Sequence, residues 1–93
     1  MEEIKREYFN TGEIYTEKYL IKGICYREIY FYKNGQIRYE CYCINGVLHR
    51  EDGPALIYYD NGKIVSKYYY INGEEITDEF QIMVIESLGV KNE

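Results

Sequence analysis

The side chains best equipped for chemistry are Cys25, Cys41, Cys43 and His49, the three cysteines and single histidine of the chain. Together they make a nominal Cys3His zinc set. Spacing argues against it, because a Cys-x-Cys pair on a flat strand points both sulfurs to one face about 6 to 7 Å apart. That is too far for two ligands at about 2.3 Å from one zinc unless the strand kinks. An odd number of cysteines in a chain without an export signal also argues against a disulfide framework. The three are expected to be reduced thiols packing as small apolar residues, with no metal and no other cofactor.

Catalysis would have to rest on His49 beside Asp52, with Arg50 holding an anion. A histidine at one end of an Asp-Gly-Pro turn more often anchors that turn by hydrogen bonds, and a general base is defined by geometry and pKa together. Ser66 and Ser87 have no base nearby in sequence, and the chain contains neither a Gly-x-Ser-x-Gly elbow nor a phosphate-cradling glycine loop. The sequence reads as that of a protein that is not an enzyme.

Binding chemistry is better represented. The chain has 13 tyrosines against three phenylalanines and no tryptophan, so its aromatic bulk comes almost wholly in an amphipathic form suited to interfaces. Tyr58-Tyr59 and Tyr68-Tyr69-Tyr70 fall in facing strands of one expected hairpin. Consecutive residues point to opposite faces, so some of these rings must meet solvent or a partner. Tyr58, Tyr59, Tyr68 and Tyr70, with Arg50, form one candidate partner-binding set, since tyrosine and arginine dominate interface hot spots. A second set is acidic. Residues 1–73 balance ten carboxylates with ten basic side chains, whereas residues 74–93 carry six acids against Lys91, so the whole net charge of −5 is C-terminal. Glu74, Glu75, Asp78 and Glu79 would suit a basic partner surface. Clustered Lys and Arg are absent, which disfavours direct binding to nucleic acid or anionic lipid.

These residues must be held by a repeat. Glycines lie eleven apart in three copies, Gly12 and Gly23, Gly35 and Gly46, Gly62 and Gly73. Isoleucine follows the first glycine of each pair by two (Ile14, Ile37, Ile64), tyrosine by seven (Tyr19, Tyr42, Tyr69) and isoleucine by nine (Ile21, Ile44, Ile71). Each copy, about 8–23, 31–46 and 58–73, reads as strand, tight turn, strand. Asn34-Gly35 and Asn61-Gly62 are type I′ hairpin signals, Thr11-Gly12 is a weaker one, and Asn45-Gly46 and Asn72-Gly73 mark a second turn. The fold expected is therefore mainly β: one domain over 1–93, an antiparallel meander of stacked β-hairpin repeats with about six or seven strands. Thr77 is the expected N-cap of a short capping helix at about 77–88, with Phe80, Met83, Val84, Ser87 and Leu88 on one stripe and an end at Gly89.

Strict alternation from the repeat glycine sets the isoleucine at two opposite the tyrosine at seven. Either both faces are partly covered, or a bulge shifts the register. The column at five (Glu17, Glu40, Lys67) marks the tyrosine side as the wetter one. Before the third copy the segment Asp52-Gly53-Pro54-Ala55 is an insertion expected to form a defined loop or bulge.

The strings Tyr-Tyr-Asp-Asn-Gly-Lys-Ile (58–64), Tyr-Lys-Asn-Gly-Gln-Ile (32–37) and Ile-Asn-Gly-Val-Leu-His-Arg-Glu-Asp-Gly-Pro-Ala (44–55) resemble the variant MORN-type repeats of YwqK-family antitoxin proteins and of phage and large-virus proteins. The similarity covers about residues 8–76, with the His-Arg-x-Asp-Gly-Pro-Ala phrase present once. It implies stacked β-hairpins and a binding role without catalysis, in toxin–antitoxin or host–virus conflict. The expectation is a noncatalytic module that sequesters or inhibits a protein partner, a toxin or a defence enzyme with a basic surface. The alternatives are a self-associating homo-oligomer and an acidic inhibitor seated in the nucleic-acid channel of a nuclease or RNA-guided effector. Met1-Glu2-Glu3-Ile4-Lys5-Arg6 has neither the basic start nor the apolar run of a signal peptide, and no apolar stretch is long enough for a membrane span, which points to a cytoplasmic protein.

Overall fold

The computed structural model describes residues 1–91, whose eight strands and one helix follow the repeat closely. The strands are β1 (Glu2–Tyr8), β2 (Ile14–Ile21), β3 (Ile24–Phe31), β4 (Ile37–Ile44), β5 (Val47–Leu48), β6 (Leu56–Asp60), β7 (Lys63–Ile71) and β8 (Glu74–Ile76), and the helix is α1 (Glu79–Lys91). They form one open antiparallel meander in the order β1-β2-β3-β4-β6-β7-β8, with β5 also on β4. Mainly β with a single C-terminal helix is thus the architecture the repeat demanded. The strand that sequence periodicity did not reveal is β1, whose mostly charged, exposed residues carry no alternation of apolar and polar side chains.

The turns follow their residues. Lys22-Gly23, Asn45-Gly46, Asn61-Gly62 and Asn72-Gly73 all have positive φ at both positions, the requirement of a type I′ hairpin. Asn34-Gly35 does not: only Gly35 is positive, at 89°. There the Asn34 side chain accepts the Gln36 N–H at 2.9 Å, and the Gly35 N–H returns to the Tyr32 carbonyl. The local side-chain bond selects a longer turn ending in a left-handed glycine. Gly12, with its N–H on the Phe9 carbonyl, closes the first copy in the same way.

A bulge recurs three residues after each repeat glycine. Pairing skips Tyr15 between β1 and β2, Arg38 between β3 and β4, and Val65 between β6 and β7. One extra residue per strand cancels one step of alternation, which carries the isoleucine at two onto the face of the residues at five, seven and nine. Of the two arrangements open from the sequence, the bulge is the one realised. Opposed residues share a face, so one face carries the row Arg6, Glu17, Ile29, Glu40, Ile57, Lys67, and the other carries Glu7, Thr16, Tyr30, Tyr39, Tyr58, Ser66.

The first of these faces is the one covered by α1 and the loop, with Tyr69 on it bonded to Glu86 of the helix. Ile29 and Ile57 are buried on it, and so is Glu40; the expectation that the column at five marks a wet side is corrected here, because Arg27 neutralises the carboxylate and lets it pack. The insertion is a loop thrown out of one continuous strand. His49 N–H donates to the Tyr42 carbonyl and Tyr42 N–H to the Ala55 carbonyl, so the ladder resumes after residues 50–54. Gly53, Pro54 and Ala55 are all buried, and α1 rests against them: a Cβ on Gly89 would lie 2.5 Å from the Asp52 carbonyl oxygen. The helix therefore runs through Gly89 instead of stopping there, since this glycine serves a close approach to the loop.

The helix is rotated relative to the sequence expectation. Its inward stripe is Ile82, Ile85, Glu86 and Gly89, with Ile85 buried and Glu86 accepting the Tyr69 hydroxyl. Phe80, Met83, Val84 and Leu88 face outward. Both stripes have helical spacing, and the loop contact at Gly89 decides between them. The N-cap is Asp78 in place of Thr77, its Oδ1 accepting the Gln81 N–H at 2.9 Å.

Candidate interaction surface

The face opposite α1 and the loop carries an unbroken aromatic strip. Because the bulges bring tyrosines of successive strands into one row, Tyr30 and Tyr39 stack at 4.5 Å with their rings 15° apart. Tyr39 meets Tyr58 at 5.5 Å, and Tyr58 meets Tyr68 edge-on at 6.1 Å. At the other end Tyr15 lies edge-on to Tyr30, and Phe9 joins Tyr15. Each such pair adds about 0.5–1.5 kcal/mol beyond simple burial, so the strip stiffens the sheet while its outer surface stays in contact with water. Tyr58 and Tyr68 are each 39% exposed. Of the tyrosines singled out from sequence, these two adjoin. Tyr70 falls on the same side by alternation and is half-buried. Tyr59 is on the covered face, where its hydroxyl donates to Glu40 at 2.6 Å and burial pushes its pKa up to about 12. Sequence reasoning missed Phe9, Tyr15, Tyr30 and Tyr39; only the bulge that recurs three residues after each repeat glycine could have aligned them.

The covered face is knit by charge. The Arg27 guanidinium lies between the Tyr19 and Tyr42 rings at 5.3 and 5.5 Å and donates to Glu40 at 2.8 Å. Arg6 donates to Glu17, and that hydrogen bond holds the Glu17 carboxyl below its ordinary range. Arg50 is committed inside the chain: it stacks 4.0 Å over Tyr42, donates to Asp52 at 3.0 Å and to the Pro54 carbonyl at 3.2 Å. It fixes the loop that seats the helix. His49 likewise anchors a turn, its Nδ1 accepting the Asn72 N–H at 2.9 Å, with Glu51 3.6 Å from its other nitrogen. These commitments hold Arg50 on Asp52 and His49 on Asn72 and Glu51.

The thiols converge by cross-strand packing. Sγ of Cys25, Sγ of Cys43 and a Glu28 carboxylate oxygen lie within 4.8 Å of one another. Cys41, considered with Cys43 from spacing, is not a member of this set. Cys43 donates to the Cys25 carbonyl, Cys25 approaches a Glu28 carboxylate oxygen, and burial pushes Cys41 up to about 11 and Cys43 up to about 12.

Glu74, Glu75, Asp78 and Glu79 are all exposed at the corner between β8 and α1. Asp78 is occupied as the N-cap, and Glu79 lies in the first helical turn, where a negative charge is favoured by the helix dipole. Among the described residues no helix is long and apolar enough to cross a membrane. No protein-family model, curated protein or solved structure matches the chain.

Proposed function

We propose that this chain is a noncatalytic protein-binding module that sequesters or inhibits a partner protein through its tyrosine strip, as an antitoxin or a phage-encoded inhibitor of a bacterial defence enzyme would. The observation that carries the reading is the strip itself: aromatic rings in mutual contact, fixed on a sheet and uncovered by the helix or the loop. A rigid aromatic row offers large contact area at little cost in side-chain entropy. The groups that could do chemistry, His49, Arg50 and the thiols, are meanwhile bonded within the fold. The resemblance to variant MORN-type repeats supports the same class.

Affinity capture from the native host, read by mass spectrometry, should recover one partner at stoichiometric yield. Tyr58→Ala or Tyr68→Ala should then cost that complex more than about 1 kcal/mol through a faster dissociation rate, with little dependence on salt. Absence of a stoichiometric partner, or binding indifferent to both changes, would remove the tyrosine strip from consideration. A second reading is favoured by the exposed Glu74 and Glu75, which lie in the segment that holds all the net charge: an acidic inhibitor in the nucleic-acid channel of a nuclease or RNA-guided effector. It expects the opposite signature. Converting Glu74, Glu75, Asp78 and Glu79 to amides would slow association several-fold, and the loss would shrink as salt rises.

A further inference from the structure

β1 is the outer strand of the sheet, and all seven of its residues are exposed. Two hydrogen bonds frame it on the inner side: Lys22 N–H donates to the Met1 carbonyl, and Phe9 N–H to the Glu13 carbonyl. In an antiparallel ladder a residue turns its N–H and C=O to the same neighbour, and successive residues alternate. The odd-numbered residues of β1 therefore bond inward to β2, and Glu2, Ile4, Arg6 and Tyr8 present their backbone groups to the open edge. A second copy related by a two-fold axis can bond this edge only in a register that opposes even residues to even residues.

Charge then selects among such registers. Centred on Glu3, the pairing opposes Glu3 to its own copy. Centred on Lys5, it opposes Lys5 to Lys5 and Glu3 to Glu7. Centred on Ile4, it opposes Ile4 to Ile4 and Glu3 to Lys5, which makes two oppositely charged pairs around one apolar contact, and it sets Glu2 near Arg6, each of which already holds a bond within the chain, to the Tyr26 hydroxyl and to Glu17. Opposed unlike charges stabilise strand pairing and opposed like charges weaken it. Within its own sheet Lys5 faces Lys18 and Glu3 faces Leu20, and neither side chain has a polar partner among the described residues, so both are available. Charged residues on an edge normally deter indiscriminate pairing; a register centred on Arg6 offers two Lys5–Glu7 pairs but sets Arg6 against Arg6, so this order of signs favours the register centred on Ile4.

We propose that the chain forms a two-fold dimer by antiparallel pairing of β1 with β1 of a second copy, in the register centred on Ile4. The axis is perpendicular to the sheet, because opposed residues share a face. The two tyrosine strips then lie on the same side of one continuous sheet, which would present any partner with a bivalent surface.

Sedimentation equilibrium from ~10 µM to ~1 mM, the range suited to a small interface of one strand pair, should show a monomer–dimer transition that weakens with added salt. Glu3→Lys and Lys5→Glu each replace two attractive pairs with two repulsive ones and should each weaken the dimer at least tenfold. An equimolar mixture of the two variants restores opposite charge at every such pair and should dimerise again. Ile4→Pro removes an outward N–H while leaving the inward bonds of β1 in place, and it should abolish the dimer. The proposal is overturned by a monomer at the highest concentration, by association that survives Ile4→Pro, or by a mixture no more dimeric than its components.

Discussion

Glu40 is a carboxylate with 5% of its surface exposed. What makes its burial tolerable is the number of donors it meets, Arg27 through two nitrogens and the Tyr59 hydroxyl. Removing the charge while keeping the shape, as in Glu40→Gln, strands the guanidinium between two rings. Arg27 keeps about a third of its side chain in solvent, so the expected loss is about 1–3 kcal/mol, less than for a fully buried pair. Urea midpoints of the variant and the parent measure it. An unchanged midpoint would mean that the aromatic sandwich alone holds Arg27. The identity of Glu40 as a repeat-column residue was plain in sequence, but its partner was not, because Arg27 and Tyr59 come from neighbouring strands whose register depends on bulges.

At the scale of elements, α1 tests how a helix chooses its face. Two apolar stripes are available, and the inward one contains Ile85 while the outward one contains Phe80. Ile85→Ala should cost about 2–4 kcal/mol through lost burial and the cavity left behind, whereas Phe80→Ala should change stability by no more than about 0.5 kcal/mol. Equal effects would place the helix differently. Gly89→Ala separates propensity from packing. An alanine in an ordinary helix interior is about 1 kcal/mol better than glycine, but here the added methyl would meet the Asp52 carbonyl. The expected result is a loss of about 1–3 kcal/mol as helix or loop shifts, read as a lower denaturation midpoint; a gain would show that the helix does not press on the loop. The turns at Asn45-Gly46, Asn61-Gly62 and Asn72-Gly73 were the most legible elements, because Asn-Gly turns depend on local backbone freedom, whereas Asn34-Gly35 departed from type I′ through its side-chain bond and the Lys22-Gly23 turn was not expected. The helix face was not legible, because it is fixed by a loop some forty residues away in the chain.

For the whole molecule, pH reads the packing of both faces at once. Cys41, Cys43, Tyr59 and Tyr69 all have raised pKa values, first through burial, to about 11 for Cys41 and about 12 for the others. The folded chain keeps these protons to higher pH than the unfolded chain, whose thiols titrate near ~8.5 and tyrosines near ~10. Their contribution to stability is therefore intact below about pH 8.5 and is lost progressively as pH rises toward the folded values. Denaturation midpoints should be flat across neutral pH and decline from about pH 9 upward, with alkylation of Cys41 and Cys43 slow until the same range; rapid labelling of both at pH 7 in the folded protein would contradict their burial. The sequence by itself determined the repeat, its turns, the antiparallel meander and the single terminal helix, because all of these follow from spacing and from backbone preferences that act over a few residues. Only the tertiary structure decided which residues share a face. That choice is made where an extra residue enters each long strand, and where the Asp52–Ala55 loop meets Gly89, contacts between segments far apart in the chain with no local signature.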